Sequence, residues 1–366
     1  MTGDLADPGV IETPALIVDL AAMRRNLDRL AARYRSTAVA LRPHVKTHKS
    51  PVIAAEQLAR GAAGVCAAKL SEAAVMVDAG IGDVLVTSGI VDRPRIERAV
   101  SLAQRAGGLR LVVDDADAVE ALGTAAGRAG VTIGTVVDLD CGAHRAGIAM
   151  GPPAVDLAAR VARHRSLRFD GFQAFASHLM HLDGYERRRA ENLAMLDAVI
   201  ATRELAERSG LEVATVTVGG TGTWDIDCDV AGVTEVQAGS YLFMDVMYRA
   251  IGGPNGPVFD DFEPALFVLT TVVSRPVAGQ VTVDAGYKAS ATDHQAPEPW
   301  GVGPATYRFA GDEHGIVTGA PLDLGDRLLL LPGHCDPTVN LYDGYHVVED
   351  GRLVARWPVA ARGRSQ

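Results

Sequence analysis

The sequence is short of cysteine, has no excess of basic residues and contains no apolar run long enough to cross a bilayer. Four cysteines among 366 residues are widely spaced and form no CxxC pair, which argues against a disulfide framework and is typical of a reducing cytoplasm. A formal charge of −10 argues against nucleic acid or an anionic membrane as the main partner. The opening residues, MTGDLADPGV, lack the basic and apolar regions of a secretory signal. We therefore expect a cytoplasmic protein.

Short apolar runs alternate with helical patterns over the first two thirds of the chain. Eight strands are predicted, at residues 38–45, 64–67, 83–87, 109–113, 132–140, 169–175, 214–218 and 235–238. Several of the intervening helices end in glycine, a common helix stop. Eight βα units of this length predict a (β/α)8 barrel of the TIM type. An open doubly wound sheet remains the alternative, because strand closure cannot be read from sequence.

The pattern changes on both sides of this region. Before it, ALIVDLAAMRRNLDRLAARY predicts a strand and an amphipathic helix, with Asp19 as the N-cap. After it, residues 264–362 contain strand patterns without helices between them, and EDGR near residue 350 is a hairpin turn signal. We therefore predict a second, mainly β domain.

The segment LRPHVKTHKSP places Lys46 at the end of the first barrel strand. Because strand C-termini form the active face of such barrels, Lys46 is a candidate nucleophilic amine. Arg42, His44 and His48 are expected to surround it. A solvated loop lysine is the plainer interpretation of the segment, and Lys49 is a weaker candidate because it lies further into the loop.

The stretch VGGTGTWD follows the seventh predicted strand. Its glycines, hydroxyls and successive N–H groups are suited to phosphate oxygens, and barrel enzymes often hold a phosphate after strands seven and eight. The eighth strand ends at Gly239 and Ser240. A lysine at one strand end and a phosphate site at another predict pyridoxal phosphate, held as a Schiff base.

Two further strand ends carry candidate residues. Arg145, in DLDCGAHRAGI, could bind the cofactor or a substrate carboxylate, or form a structural salt bridge with Asp138 or Asp140. His178 and His181 follow the sixth strand, and either could be a general base or a structural histidine.

In the β domain, the sequence HCDP offers His334 and Asp336. If this backbone is extended, the two side chains point the same way and could bind a divalent ion, with Cys335 on the opposite side. A surface turn is the plainer interpretation, and Pro337 supports it.

The ordered motifs RPHVKTHKSP, DCGAHRAG, GGTGTWD, VQAGSYLFMD and HCDPTVNLYD resemble those of D-threonine aldolases and eukaryotic-type D-serine dehydratases. These are alanine-racemase-like, fold-type III pyridoxal phosphate enzymes. The resemblance implies a barrel domain over residues 16–263, a β domain from residues 1–15 and 264–366 that carries the metal site, and a homodimer.

The resemblance also implies roles for individual residues. Lys46 resembles the Schiff-base lysine and His181 the catalytic base, while Arg145 resembles the arginine beside the cofactor ring. The implied cofactor contacts also include Gly220, Thr221, Gly222, Thr223, Gly239 and Ser240. Many relatives have a tyrosine–histidine pair where this chain has Phe175 and Ala176, so the contacts beside the ring are expected to differ.

The metal motif separates the two branches of the resemblance. The dehydratases resemble His-x-Cys, which suits zinc, whereas the aldolases resemble His-x-Asp, a harder pair that suits manganese, magnesium or cobalt. Because His334 and Asp336 form the second pattern, the expected activity is cleavage of a D-threonine-like or 3-hydroxyaspartate-like D-β-hydroxy-α-amino acid to glycine and an aldehyde. Dehydration of D-serine or 3-hydroxyaspartate is the alternative on the same scaffold. A non-catalytic pyridoxal phosphate-binding protein is the alternative from another class.

Overall fold

The computed structural model describes residues 11–366, and the chain divides into two compact units. The barrel unit contains Leu30–Lys46, Pro51–Gly239 and Arg364–Gln366. The β unit contains the described residues up to Arg29, together with Thr47–Ser50 and Ser240–Gly363. Residues 1–10, which belong to the predicted 1–15 segment, lie outside the described residues. The predicted boundary at residue 263 stays a prediction.

The barrel unit is built on eight parallel strands, as the alternation of apolar runs predicted. In chain order they are β2 (Ala40–Leu41), β3 (Val65–Ala67), β4 (Val84–Val86), β5 (Arg110–Val113), β6 (Ile133–Leu139), β7 (Leu167–Ala174), β8 (Thr215–Val218) and β9 (Glu235–Val236). Their order in the sheet is β2-β9-β8-β7-β6-β5-β4-β3. Every strand therefore lies beside its neighbours in sequence, apart from β2, which pairs with β9.

The two end strands of this order also meet. An isolated parallel bridge joins His44 to Cys66, and the Cys66 N–H donates to the Pro43 carbonyl at 2.9 Å. These contacts close the sheet, so the structure confirms the barrel and not the open doubly wound sheet. β2 is shorter than predicted, because the chain leaves the strand after Leu41 and forms a 3-10 turn at Val45–Thr47.

Helices connect the barrel strands. Buried residues recur along these helices with helical spacing, so each helix packs one face against the strands. They are α2 (Pro51–Ala59), α3 (Leu70–Asp78), α4 (Arg93–Arg105), α5 (Ala116–Ala129), α6 (Pro152–Arg163), α7 (Ser177–Met180), α8 (Tyr185–Arg208) and α9 (Trp224–Asp227). Asp92 and Asp115 cap α4 and α5 by accepting backbone N–H groups. Gly130 ends α5 in the left-handed region, at φ 67°.

The β unit contains a nine-stranded sheet. Its strands are β1 (Ala15–Asp19), β10 (Leu266–Val277), β11 (Gln280–Val283), β12 (Glu298–Trp300), β13 (Thr306–Phe309), β14 (Gly315–Thr318), β15 (Arg327–Leu331), β16 (Gly344–Glu349) and β17 (Arg352–Pro358). The main path is β13-β14-β11-β10-β1-β16-β17, while β15 pairs with β10 and β12. The short helices α10 (Val246–Ala250) and α11 (Cys335–Val339) also belong to this unit.

The first strand, β1, joins this sheet. β1 pairs antiparallel with β10 and parallel with β16. Asp19 then caps α1 (Leu20–Arg35) by accepting the Ala22 N–H at 3.0 Å, which confirms the predicted N-cap. The EDGR turn also forms as predicted, because Asp350 and Gly351 both take positive φ values between β16 and β17. Within residues 11–366, no helix is long and apolar enough to cross a membrane.

Candidate active site

Lys46 occupies the middle of the 3-10 turn that follows β2. Val45 and Thr47 on either side are fully buried, whereas Lys46 is half-buried. The amine is therefore carried by a fixed segment at the carboxyl end of a barrel strand.

The ring of Phe175 lies beside both Lys46 and Arg145. The Lys46 Nζ atom lies 5.7 Å from the ring centroid, and the Arg145 Cζ atom lies 5.2 Å from it. Both distances are within the range of cation–π contacts. The structure thus brings together two of the residues selected from the sequence. Both contacts are made to Phe175, the position at which the contacts beside the cofactor ring were expected to differ.

These three residues line a cavity of about 310 Å³. Its walls come from the carboxyl ends of six of the eight barrel strands, and hydroxyl and amide groups outnumber carboxylates among its polar side chains. The lining residues are His44, Lys46, Ala68, Thr87, Ser88, Gly89, Asp138, Arg145, Ala146, Gln173, Phe175 and Gln237. The volume suits a small organic ligand.

A chain of buried polar side chains forms one wall of the cavity. Gln173 donates to Asp138 at 2.9 Å, and Gln237 donates to Gln173 and to Thr217 at 3.0 Å each. Burial raises the pKa of Asp138 to about 6, although the hydrogen bond from Gln173 acts in the opposite direction. Sequence analysis did not select Gln173 or Gln237. Polar residues inside otherwise apolar barrel strands were the signal that could have found them.

Asp138 and Asp140 bind other partners and form no salt bridge with Arg145, which was the alternative role for this arginine. The side chain of Asp140 accepts from the His144 ring at 2.6 Å and from backbone N–H groups. Asp138 accepts from Gln173. Arg145 is exposed and stacks on Phe175 instead, so its guanidinium faces the cavity.

Arg42 does not lie beside Lys46, in contrast to the expectation from sequence. Its guanidinium donates to Glu235 at 2.8 Å and to Asp83 at 2.8 Å. Glu235 begins β9 and Asp83 immediately precedes β4, so Arg42 lies at the amino-terminal end of the barrel. His44 does face the cavity, where its Nε2 atom lies 3.1 Å from the Thr87 hydroxyl.

The glycines of residues 219–223 make room for neighbouring side chains and backbone. A Cβ atom on Gly220 would lie 2.5 Å from the Met180 sulfur, and one on Gly222 would lie 2.0 Å from the Met180 carbonyl oxygen. Gly219 has a φ of 67°. The backbone of Thr221–Thr223 is a buried 3-10 turn, so a rigid polar loop follows β8 as expected.

The remaining candidates of the barrel unit lie at neighbouring strand ends. His178 is exposed within α7, whereas His181 is half-buried and caps that helix at its C-terminus. Gly239 follows β9 in the barrel unit. Ser240 is buried and begins a 3-10 turn of the β unit.

The β unit contains a group of side chains that could hold a metal ion, formed by Asp293, His294 and His334. His334 Nδ1 lies 2.6 Å from Asp293 Oδ2, and the two histidine rings meet edge to face with centroids 5.2 Å apart. Sequence analysis found His334 but not its two neighbours. They are some forty residues away, in an irregular segment without a metal-ligand spacing.

The backbone at His334 is not extended through Asp336, because α11 begins at Cys335. Asp336 therefore lies in the first turn of a helix and is not part of the three-residue group. Cys335 is fully buried, its N–H donates to Asp245, and burial raises the pKa of its thiol well above the usual value. That environment disfavours the thiolate that a metal would need. Binding of one ion by both His334 and Asp336 stays a prediction.

Comparison with known proteins agrees with this architecture. A sequence profile described as "Alanine racemase, N-terminal domain" matches residues 18–246, and one described as "Putative serine dehydratase domain" matches residues 265–348. A 3-hydroxy-D-aspartate aldolase of Paracoccus denitrificans is 36% identical over 98% of this chain and 94% of its own length. A D-threonine aldolase of an Arthrobacter species is 38% identical over 97% and 94%. The chain belongs to the D-threonine aldolase and D-serine dehydratase family.

The solved structures extend this family assignment to three dimensions. The crystal structure of the D-threonine aldolase of Filomicrobium marinum has a TM-score of 0.94 and 40% identity, with 97% of each chain covered. The alanine-racemase-like barrel and β domain predicted from sequence are thereby confirmed. So is the prediction that this family member is a carbon–carbon lyase.

Proposed function

We propose that this protein is a pyridoxal phosphate- and divalent-metal-dependent aldolase that cleaves D-β-hydroxy-α-amino acids to glycine and an aldehyde. The observation that carries the proposal is the placement of Lys46 and Arg145 against the same ring, at the mouth of one cavity. Membership in a family whose similar relatives are named aldolases supports the reaction class.

The lining of the cavity fits the cofactor. An amine and a guanidinium face a space of about 310 Å³, which accommodates a small aromatic aldehyde. The wall formed by Asp138, Gln173 and Gln237 offers hydrogen-bonding groups to a planar ring. The polar loop of residues 219–223 follows the adjacent strand β8 and suits a phosphate.

Each residue then has a defined task. Lys46 would hold the cofactor aldehyde through its Nζ atom, and Arg145 would bind an oxygen of the cofactor. Thr221, Thr223 and the backbone of Gly220, Gly222 and Gly239, with Ser240, hold the phosphate. When bound, the cofactor supplies an electron sink and the ion supplies a Lewis acid.

His181 is the proposed base for the proton of the substrate β-hydroxyl. Removal of that proton is the step that retro-aldol cleavage requires, and an imidazole is suited to it near neutral pH. Since His181 follows a four-residue helix and is half-buried, its position is fixed better than that of the exposed His178.

The proposed metal site uses His334 and Asp336, with Asp293 and His294 beside His334. These groups offer nitrogen and oxygen ligands, and the neighbouring thiol is buried and neutral. Manganese, magnesium or cobalt remains the expected ion, because the carboxylates are hard oxygen ligands and no thiolate is offered. Removal of divalent ions by a chelator should abolish cleavage while the cofactor absorbance stays; full activity of the stripped enzyme would exclude the metal role.

A dehydratase is the second candidate, because the profile that matches residues 265–348 carries that description. Incubation of metal-reconstituted protein with D-threonine, D-serine and 3-hydroxyaspartate separates the two. Glycine as product supports the aldolase, whereas ammonia and an oxo acid identify the dehydratase. The same assay distinguishes threonine-like from 3-hydroxyaspartate-like substrates. A homodimer remains the expected assembly, to be measured by sedimentation.

A further inference from the structure

A buried carboxyl group contacts the loop of residues 219–223. Asp227 is completely buried at the end of α9. Its Oδ2 atom lies 2.5 Å from the Thr223 hydroxyl, and its Oδ1 atom accepts from the Asn192 amide at 2.7 Å. A Cβ atom on Gly219 would lie 1.8 Å from the same Oδ2 atom. The carboxyl is therefore pressed against the loop proposed to hold the phosphate.

No cation balances this carboxyl among residues 11–366, where its only side-chain partners are Thr223 and Asn192. A nearby negative charge disfavours the ionised form of Asp227 instead of balancing it. Asp225 on the same helix raises its pKa further, and the Tyr34 hydroxyl, which donates to the Trp224 carbonyl, is neutral.

The remaining titratable groups around Asp227 do not change this picture. The Cys228 thiol is next to it in the chain, and burial raises the pKa of that thiol to about 11. On α8, the guanidinium of Arg188 donates to the carbonyls of Gly222 and Leu182. Burial is the main cause that raises the pKa of Asp227 to about 7.

The direction of one hydrogen bond depends on the proton of Asp227. When Asp227 is ionised, Thr223 must donate its only hydroxyl proton to Oδ2. When Oδ2 carries a proton, that proton is donated to the Thr223 oxygen, because the Asn192 amide occupies the other carboxyl oxygen. The Thr223 hydroxyl proton is then available to an anion on the loop.

We propose that Asp227 is a positioning residue for the cofactor phosphate, which takes up a proton when the phosphate binds and so turns the Thr223 hydroxyl toward the phosphate. This inference rests on the proposed function, since it takes the loop as the phosphate site. One proton moves from solution to Oδ2, where it forms an O–H bond, and no bond between heavier atoms forms or breaks.

Phosphate binding and protonation of Asp227 should favour each other. A phosphate dianion near the loop favours the neutral carboxyl, so the protonated protein binds phosphate more tightly. The contribution of the phosphate to affinity should therefore fall as the pH rises through the pKa of Asp227. Pyridoxal, which lacks the phosphate, should not show this loss.

The test compares pyridoxal phosphate with pyridoxal on the full chain freed of cofactor. Dissociation constants are measured by absorbance at pH 6.5 and pH 8.5, and their ratio isolates the phosphate. In the unaltered protein the preference for the phosphorylated form should fall about tenfold between these pH values. Effects on the bond at Lys46 are common to both ligands and cancel in the ratio.

The variant Asp227→Asn supplies the sharpest contrast. Its amide can donate permanently to the Thr223 oxygen while its carbonyl faces Asn192, so it imitates the protonated acid. We expect a preference for the phosphorylated ligand that changes less than about twofold with pH. Asp229→Asn is the matched control, because Asp229 lies two residues on in a surface ion pair with Arg33. It should behave as the unaltered protein does.

A second measurement needs no variant. In weakly buffered solution at pH 8, binding of pyridoxal phosphate should take up about half a proton more per chain than binding of pyridoxal. Equal uptake, or a pH-independent preference in the unaltered protein, would overturn the role of Asp227 while the proposed function stands. Equal affinity for the two ligands at both pH values would overturn the phosphate site itself, and this inference with it.

Discussion

The cations at the two ends of the barrel have different surroundings. At the amino-terminal end, Arg42 is 2% exposed and shares two carboxylates, Glu235 and Asp83, with Arg110. At the carboxyl end, Lys46 and Arg145 contact the ring of Phe175 beside a cavity. The first end pairs its cations with carboxylates, whereas the second places its cations beside a space that can hold a ligand.

This difference separates structural from functional charge within a single unit. The guanidinium of Arg42 keeps the pKa of Glu235 below its usual value even though burial acts to raise it. Removal of one partner from such a buried pair destabilises the fold, because it leaves an unpaired buried charge. The cations at the opposite end can exchange their ring contacts for a ligand. Substitutions at the two ends should therefore affect different measurements.

The largest effect is expected from Lys46→Arg. A guanidinium stays protonated and cannot replace the amine, so activity should fall by about a thousandfold or more. The visible absorbance of bound cofactor should also disappear, while the thermal midpoint changes little. Lys49→Arg is the matched control for the weaker candidate. An unchanged spectrum in the Lys46 variant would show that the bond is made elsewhere.

Glu235→Gln tests the amino-terminal end. It leaves Arg42 buried with only the half-exposed Asp83 and should lower the free energy of unfolding by about 3 kcal/mol. Urea denaturation measures this cost. The turnover number per folded molecule should stay within about twofold, since the site lies at the other end of the barrel. A large fall in turnover without a loss of stability would mean that the two ends are not independent.

Arg145→Lys sharpens the comparison at the cavity. Lysine keeps the charge but loses the planar group that stacks on Phe175, so catalytic efficiency should fall about tenfold. Arg93→Lys is the control, because Arg93 is an exposed arginine paired with Glu97 on α4. Equal activity in both variants would assign Arg145 to the surface and not to the site.

The effect expected from Asp138→Asn depends on pH. Because the folded pKa of about 6 exceeds the ordinary aspartate value, the neutral acid favours folding at low pH and this advantage is lost as the pH rises to 6. Relative to the asparagine variant, the unaltered protein should lose about 2 kcal/mol between pH 4 and pH 7. Parallel unfolding curves for the two proteins across that range would contradict the burial of this carboxyl.

The barrel could be predicted because its strands are continuous apolar runs and its helices carry clear stop signals. The strands β12, β13 and β14 were missed for the opposite reason. They are three or four residues long and partly exposed, so no alternation extends far enough to identify them. Their positions depend on pairing with β15 and β11.

The site was predicted as far as local sequence determines geometry. Lys46 could be selected because a strand end fixes which face a residue reaches. The grouping of His334 with Asp293 and His294 could not be predicted, since the neighbours come from a distant irregular segment. The chain of Asp138, Gln173 and Gln237 was visible as polar residues in apolar strands, but its function as a cavity wall depends on barrel closure.

The contact between Gly222 and Met180 has a mechanical consequence. The Met180 carbonyl fills the place where a side chain on Gly222 would stand, and His181 is the next residue in the chain. The loop after β8 therefore packs directly against the segment after β7. A ligand that shifts the loop should also shift the position of the His181 imidazole.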